Sequence, residues 1–267
     1  MITGKGGFRA MKGIDVSVWN NSIDFEKVKK AGIEYVIIRA GYGRVASQKD
    51  KLFEQNYARA KAAGLLVGAY WYSYADSVAA AHQEAAACIE CIKGKKFDFP
   101  IYFDIEEQAQ FNRGVTFCSE LVKAFCNDLE AAGYFAGFYT GRYAVMNYIS
   151  KAVAARYAAW IAEWGAKLNY SGQYGMWQYS ANGKVDGISG NVDMDESYVD
   201  YPTIIRKKGL NGFTASEQEV PPPAEVKKEY TVQEGDTLSG ISQKLGIAVD
   251  DLVSKNNLLK VGTVLKY

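Results

Sequence analysis

Short apolar runs that do not alternate with polar residues recur between positions 11 and 201, each followed by a stretch of different rhythm. Residues 35–39 read YVIIR, 65–72 LLVGAYWY, 100–103 PIYF and 135–139 FAGFY. A strand with one wet face alternates, whereas a strand apolar throughout is covered on both faces. The intervening stretches carry helical spacing. Phe25, Val28 and Ala31 recur on one face before Gly32, residues 50–63 run to Gly64, and 77–93 form an Ala-rich helix. The clearest helix places Phe117, Leu121, Val122, Phe125, Cys126 and Leu129 on one face, with Gly133 as its stop. With further runs at 12–16, 157–161 and 175–179, seven or eight units fit into fewer than 200 residues. That pattern predicts a compact α/β barrel, irregular toward its end because the later helices are weak.

The rest of the chain divides by composition. Residues 1–10 hold Lys5 and Arg9 but no apolar core, so they read as a leader or an added extension rather than a secretion signal. The barrel is expected over 11–205. Residues 206–229, with Gly209, Gly212 and the Pro221–Pro223 run, read as a linker, and 230–267 as a second small module.

Charge narrows the partners. Residues 11–205 carry 20 basic and 22 acidic side chains, and 230–267 carry four of each. Neither part has the cationic surplus that a phosphate backbone or an anionic membrane would require. The longest strongly apolar stretch, 62–72, is far shorter than the roughly 20 residues of a membrane helix. The expected partner is a neutral or weakly charged molecule, not nucleic acid or membrane. Cys88 and Cys91 form a CxxC inside a helix, Cys118 and Cys126 lie on the next helix, and His82 is the only histidine. Buried free thiols are expected, with no metal and no cofactor.

Barrel chemistry sits at the carboxyl ends of strands. Asp15 ends the first run, Asp104 and Glu106 end PIYFDIE, and Asp193 lies near the last strand position. Residues i and i+2 of a strand share a face about 7 Å apart, so Asp104 and Glu106 would face the mouth together. Repulsion and partial burial raise one pKa of such a pair, leaving an acid able to protonate a leaving oxygen, as glycosidic cleavage requires. Taken alone the DxE more often marks a solvated strand end. There is no GxSxG, HExxH or P-loop to support a rival chemistry. Tyr72, Tyr139, Trp164 and Tyr179 fall at or just past strand ends and suit pyranose faces or core packing. Arg39 suits a substrate carboxylate or an internal salt bridge.

The ordered segments GIDVSVWNNSIDF, EYVIIRAGYG, GAYWYSYA, PIYFDIE, GFYTG, WIAEW and MWQYSANGKVDGISGNVDMD resemble the family 25 glycoside hydrolases, the Chalaropsis-type muramidases, over about 11–201. The resemblance implies a flattened, irregular TIM-like barrel. It implies cleavage, with retention, of the β-1,4 bond between N-acetylmuramic acid and N-acetylglucosamine in peptidoglycan. Glu106 matches the general acid, Asp104 its partner carboxylate, and Asp15 and Asp193 the further acids of the groove. Direct attack by Asp104 and assistance by the substrate's own acetamido group both fit, and assistance is the preferred reading.

The tail YTVQEGDTLSGISQKLGIAVDDLVSKNNLLKVGTVLKY resembles a LysM module, which implies a βααβ fold. It also implies N-acetylglucosamine-containing glycan at Gly235, Asp236, Thr237 and Leu238 and at Asn257 and Leu258. Asp236 or Thr237 should cap a helix through Leu245. The combined expectation is a phage or prophage endolysin, made in the bacterial cytoplasm and acting at the wall. A chitin-directed glycosidase and a non-catalytic wall-binding protein are the rivals.

Overall fold

The computed structural model describes residues 9–214, 230, 235–245, 248, 249 and 253. The chain divides into two units, residues 1–219 and 220–267.

The first unit is a closed eight-stranded barrel with strands in sequence order. It opens with β1 (Met11–Val16), α1 (Phe25–Lys30), β2 (Tyr35–Tyr42), α2 (Phe53–Ala62), β3 (Leu66–Tyr72) and α3 (Val78–Ile92). β4 (Ile101–Asp104), α4 (Gln108–Phe111), α5 (Gly114–Ala131) and β5 (Ala136–Gly141) follow. Then come α6 (Arg142–Tyr148), α7 (Lys151–Arg156), β6 (Ala158–Ala162), β7 (Met176–Gly183), β8 (Val192–Ser197) and α8 (Tyr201–Lys207).

The missing alternation in the strands has a direct cause. One row of each strand, including Val36, Ile38, Val67, Trp71, Phe103 and Phe138, packs in the outer core beneath the helices. The other row, including Tyr35, Ile37, Tyr102, Trp160 and Met176, fills the barrel interior. Large rings fit inside because glycines face them. A Cβ on Gly13 would lie 2.2 Å from the Tyr35 ring, and one on Gly137 would lie 2.7 Å from Tyr102. All four cysteines are buried free thiols, and burial pushes the Cys88 and Cys126 thiols up. Cys126 donates to the Gly137 carbonyl at 3.3 Å, tying α5 to β5.

Strands β1 to β7 run parallel to their sequence neighbours, but β8 pairs antiparallel with both β7 and β1. The final strand therefore begins, rather than ends, at the mouth where the others terminate. No helix intervenes between β6 and β7 or between β7 and β8, which is the irregularity the weak later repeats foretold.

The opposite end is floored by α8. Tyr201 and Ile205 enter the interior core, and the Tyr201 ring lies 5.8 Å from both Phe99 and Phe135. Residues 206–213, read from sequence as the start of a linker, complete this floor instead. Arg206 pairs with buried Asp98, and Asn211 is wholly buried at φ +56°. The Asn211 amide donates to the carbonyls of Phe97 and Phe99 at 3.1 and 2.8 Å and accepts from Phe135 N–H at 2.7 Å. Glycines and charges suggested flexibility, but one buried side-chain amide fixes the segment. The remaining linker residues, 215–229, and positions 1–8 of the expected leader lie outside the described residues.

In the second unit, α9 (Leu238–Leu245) occupies the expected helix. Thr237 caps it, its hydroxyl accepting from Gly240 N–H at 3.1 Å.

Asn211→Ala should strand the half-buried Phe135 N–H and two buried carbonyls, at about 2–3 kcal/mol of stability. At about 2–4 °C per kcal/mol, thermal unfolding of the barrel should fall by about 5–10 °C. A change within about 1 °C would show that the floor does not hold the barrel.

Candidate active site

The carboxyl ends of the strands surround a cleft of about 500 Å³ lined by Asp15, Asp104, Glu106 and Asp193, with Arg39, Tyr70, Tyr72, Tyr139, Trp160, Trp164 and Gln178 among its walls. Strand register explains how the acids meet. Asp104, the last residue of β4, lies beside Tyr72 of β3 on one side and Tyr139 of β5 on the other. Neighbouring strands are about 4.8 Å apart, so these three form one rung across the mouth. Glu106 lies beyond the strand end, yet the chain stays pinned to β5. Ile105 N–H donates to the Tyr139 carbonyl at 3.0 Å, and Thr140 donates to the Ile105 carbonyl at 2.7 Å. The i, i+2 relation thus survives one step past the strand, and both carboxyls line the cleft.

On the far wall, Asp15 is the direct register partner of Asp193. Sequence reading placed Asp193 near a strand's carboxyl end. It lies near the amino end of β8, and only the reversal of that strand brings it to the mouth.

The acids differ in surroundings. Asp104 is 4% exposed, and its Oδ1 is buried without a hydrogen-bond partner among the described residues. Burial and the neighbouring Glu106 hold its pKa well above the ordinary range, against the opposing pull of Arg39. Glu106 reaches the open cleft. The surrounding protein, with Glu107 and Asp193, raises its pKa, while the nearby Tyr72 hydroxyl opposes the rise. Burial raises Asp15 too, reinforced by Asp195 and Asp193 and opposed by Gln178, and burial alone raises Asp193.

Two participants escaped the sequence reading. Gln178, 3% exposed, donates to Asp15 at 2.8 Å while accepting from Tyr139 at 3.0 Å and Trp164 at 3.1 Å. A lone amide within the apolar MWQY run was its only signal. Asp195, fully buried, accepts from Trp160 Nε1 at 2.8 Å and lies against Asp15. The DxD of 193 and 195 repeats the spacing that identified Asp104 and Glu106, so this signal was present.

The predicted aromatics divide. Tyr72, which donates to Glu107 at 2.7 Å, Tyr139 and Trp164 line the cleft. Tyr179 does not: it is one residue out of phase with inward Gln178 and its ring packs 5.6 Å from Trp177. Trp19 lines the cleft instead and is 80% exposed on a short 3-10 turn that Ser17 caps. Arg39 lines the cleft but spends its charge internally, its Nε and Nη2 each 2.8 Å from buried Asp50. Among the described residues no group of His, Cys, Asp and Glu is arranged to hold a metal ion.

Of the expected LysM contacts, Gly235 precedes the α9 cap at φ +88° and Leu238 is 40% exposed. Asp236 is engaged within its own unit, accepting from Tyr230 and Lys244 at 2.8 Å each. Asn257, Leu258 and residues 231–234 and 254–267 of the module lie outside the described residues.

Carboxyl groups gathered at the mouth of such a barrel, beside aromatic rings, are features of the glycoside hydrolase class of fold. More particularly, the chain belongs to the glycosyl hydrolases family 25, whose model matches residues 14–188, and a LysM domain matches residues 230–266. The family's members include peptidoglycan hydrolases of lysozyme and endolysin type. The autolytic lysozyme of Clostridium acetobutylicum is 33% identical over 187 residues, covering 70% of this chain, which spans 55% of that protein's length. The crystal structure of the CTP1L endolysin aligns with TM-score 0.65 at 29% identity, over 73% of this chain and 69% of that one. The modular autolysin LytC of Streptococcus pneumoniae, solved with a synthetic peptidoglycan ligand, aligns with TM-score 0.63 at 26% identity, over 72% of this chain and 47% of that one.

Asp104→Asn should stabilise the fold at neutral pH. A carboxyl whose folded pKa is raised favours folding most below its unfolded value of about 3.9, and that contribution is lost as pH rises through the folded value. The amide avoids the loss. The melting temperature should rise at pH 7, by about 2–4 °C per kcal/mol relieved, and the difference should vanish near pH 3. An equal shift at both pH values would mean that charge is not its source.

Proposed function

We propose that the protein is an N-acetylmuramidase, hydrolysing the β-1,4 bond between N-acetylmuramic acid and N-acetylglucosamine with retention of configuration. The observation that carries the reading is the rung formed by Tyr72, Asp104 and Tyr139, with Glu106 one step beyond it. Glu106, its proton held by protein surroundings and by the charges of Glu107 and Asp193, protonates the leaving oxygen as it reaches into the cleft. Asp104, buried and under-partnered, is held ionised in the complex by Arg39 and by the substrate's acetamido N–H, which it meets directly. That contact satisfies the carboxylate and stabilises the charge that develops as the acetamido oxygen attacks the anomeric carbon. Glu106, now ionised, then takes a proton from the incoming water. Asp15, Asp193 and Asp195 set the potential of the far wall, and Gln178 fixes Asp15 relative to Tyr139 and Trp164.

The LysM domain holds the enzyme on N-acetylglucosamine-containing glycan of the same wall. Similarity to an endolysin supports a phage or prophage origin, with synthesis in the cytoplasm and release to the wall by holin-type lysis or another route.

Digestion of purified walls, followed by borohydride reduction and mass spectrometry, tests the bond. Reduced muramic acid at the new ends is expected. Reduced N-acetylglucosamine would point to a glucosaminidase or chitin-directed enzyme, and no new ends to a non-catalytic wall binder. Glu106→Gln should lower turnover by about 10²–10⁴-fold without changing the melting temperature by more than a few degrees.

A chain ending at Thr214 retains the Asn211 floor and should keep full activity on soluble muroglycan oligomers. On intact walls it should be deficient at low concentration and recover as concentration rises, because the lost module supplies effective concentration. Equal loss on both substrates would show that the module serves the barrel directly.

A further inference from the structure

A row of tyrosines leaves the cleft over the lip formed by the carboxyl ends of β2 and β3. Tyr72, a cleft wall, is the register partner of Tyr42, and Tyr74 follows two residues after it. The Tyr72 and Tyr74 ring centroids are 5.0 Å apart, and Tyr74 meets Tyr42 at 6.3 Å with their planes at 85°. Tyr42 and Tyr74 are 38% and 51% exposed. A single exposed ring needs no explanation, but two at right angles, continuous with a polymer-binding cleft, make an open aromatic corner.

The backbone beneath the corner is fixed. Gly43, at φ +69°, donates its N–H to the Tyr72 carbonyl at 3.1 Å, and its own carbonyl accepts from Trp71 Nε1 at 2.9 Å. Tyr74 N–H donates to the buried Glu84 carboxyl at 2.9 Å. Ser73, also buried, accepts from Ala75 N–H at 3.1 Å and Gln110 Nε2 at 3.0 Å. A platform held this way needs little ordering when a ligand arrives. The lip's cations are committed, Arg39 to Asp50 and Arg44 to Asp76, so the corner suits a neutral ligand better than an anion.

We propose that Tyr42 and Tyr74 form a distal sugar subsite that takes an N-acetylhexosamine of the glycan strand beyond the sugars held in the cleft. A strand longer than the cleft must continue across one of its lips, and this lip offers rings where the strand emerges. One ring accepts the C–H face of the pyranose while the perpendicular ring walls its edge. The inference rests on the glycan-hydrolase reading above and adds to it a dependence of rate on chain length.

The test compares kcat/KM on a soluble muroglycan tetrasaccharide and octasaccharide. Wild-type enzyme should favour the octasaccharide by about five- to tenfold, as one or two stacking contacts would give. Tyr42→Ala combined with Tyr74→Ala should abolish that preference while leaving the tetrasaccharide rate within about twofold, and the corresponding pair of Phe substitutions should restore it. The subsite is overturned if the Ala pair loses equally on both lengths, if it retains the preference, or if wild type has none. Wild type inactive at both lengths would remove the hydrolase reading itself, and the subsite with it.

Discussion

Everything at the mouth of this barrel depends on holding carboxyl groups in a place that disfavours their charge. Asp15, Asp104 and Asp195 are nearly or wholly buried, and Glu106 and Asp193 complete the group at the water's edge. Burial and mutual repulsion push the same way, so the group retains protons that isolated carboxyls would have released. A proton held in an open cleft at moderate pH is the resource that acid-catalysed glycoside cleavage requires. The reversal of β8 is part of this arrangement, because it sets Asp193 opposite Asp15.

Such a mouth is unfavourable to folding, and stability is supplied elsewhere. The interior below it is filled by Tyr35, Tyr102, Trp160 and Phe99, with Tyr35 and Phe99 stacked at 4.2 Å and Tyr102 tilted against Trp160 at 5.2 Å. The floor adds the Asn211 bonds and the two cations, Lys61 and Arg206, that neutralise buried Asp98. The two ends of the barrel thus treat buried carboxylates oppositely. Asp98 is paired and structural, while Asp104 is left short of partners.

Much of this was legible in the sequence, for identifiable reasons. Apolar runs without alternation reported strands covered on both faces, and PIYFDIE reported the acid pair because backbone period alone sets its geometry. Asp195 carries the same spacing signal beside Asp193. Tyr179 and Trp19 show the limit of reading by strand end. Phase within β7 turns Tyr179 away from the cleft, and the Ser17 cap turns Trp19 toward it. The direction of β8 and the buried role of Asn211 depend on contacts between residues far apart in the chain, which no local pattern records.

The account stands on the proton at Glu106. Carbon-13 NMR of enzyme labelled at glutamate side-chain carboxyls, with Glu106 assigned by difference from Glu106→Gln, would follow that proton through a pH titration. A midpoint clearly above the ordinary glutamate value of about 4.3 is expected, from burial and the charges of Glu107 and Asp193. A midpoint at or below that value would mean that Glu106 is ionised where it is required to donate, and would contradict the account.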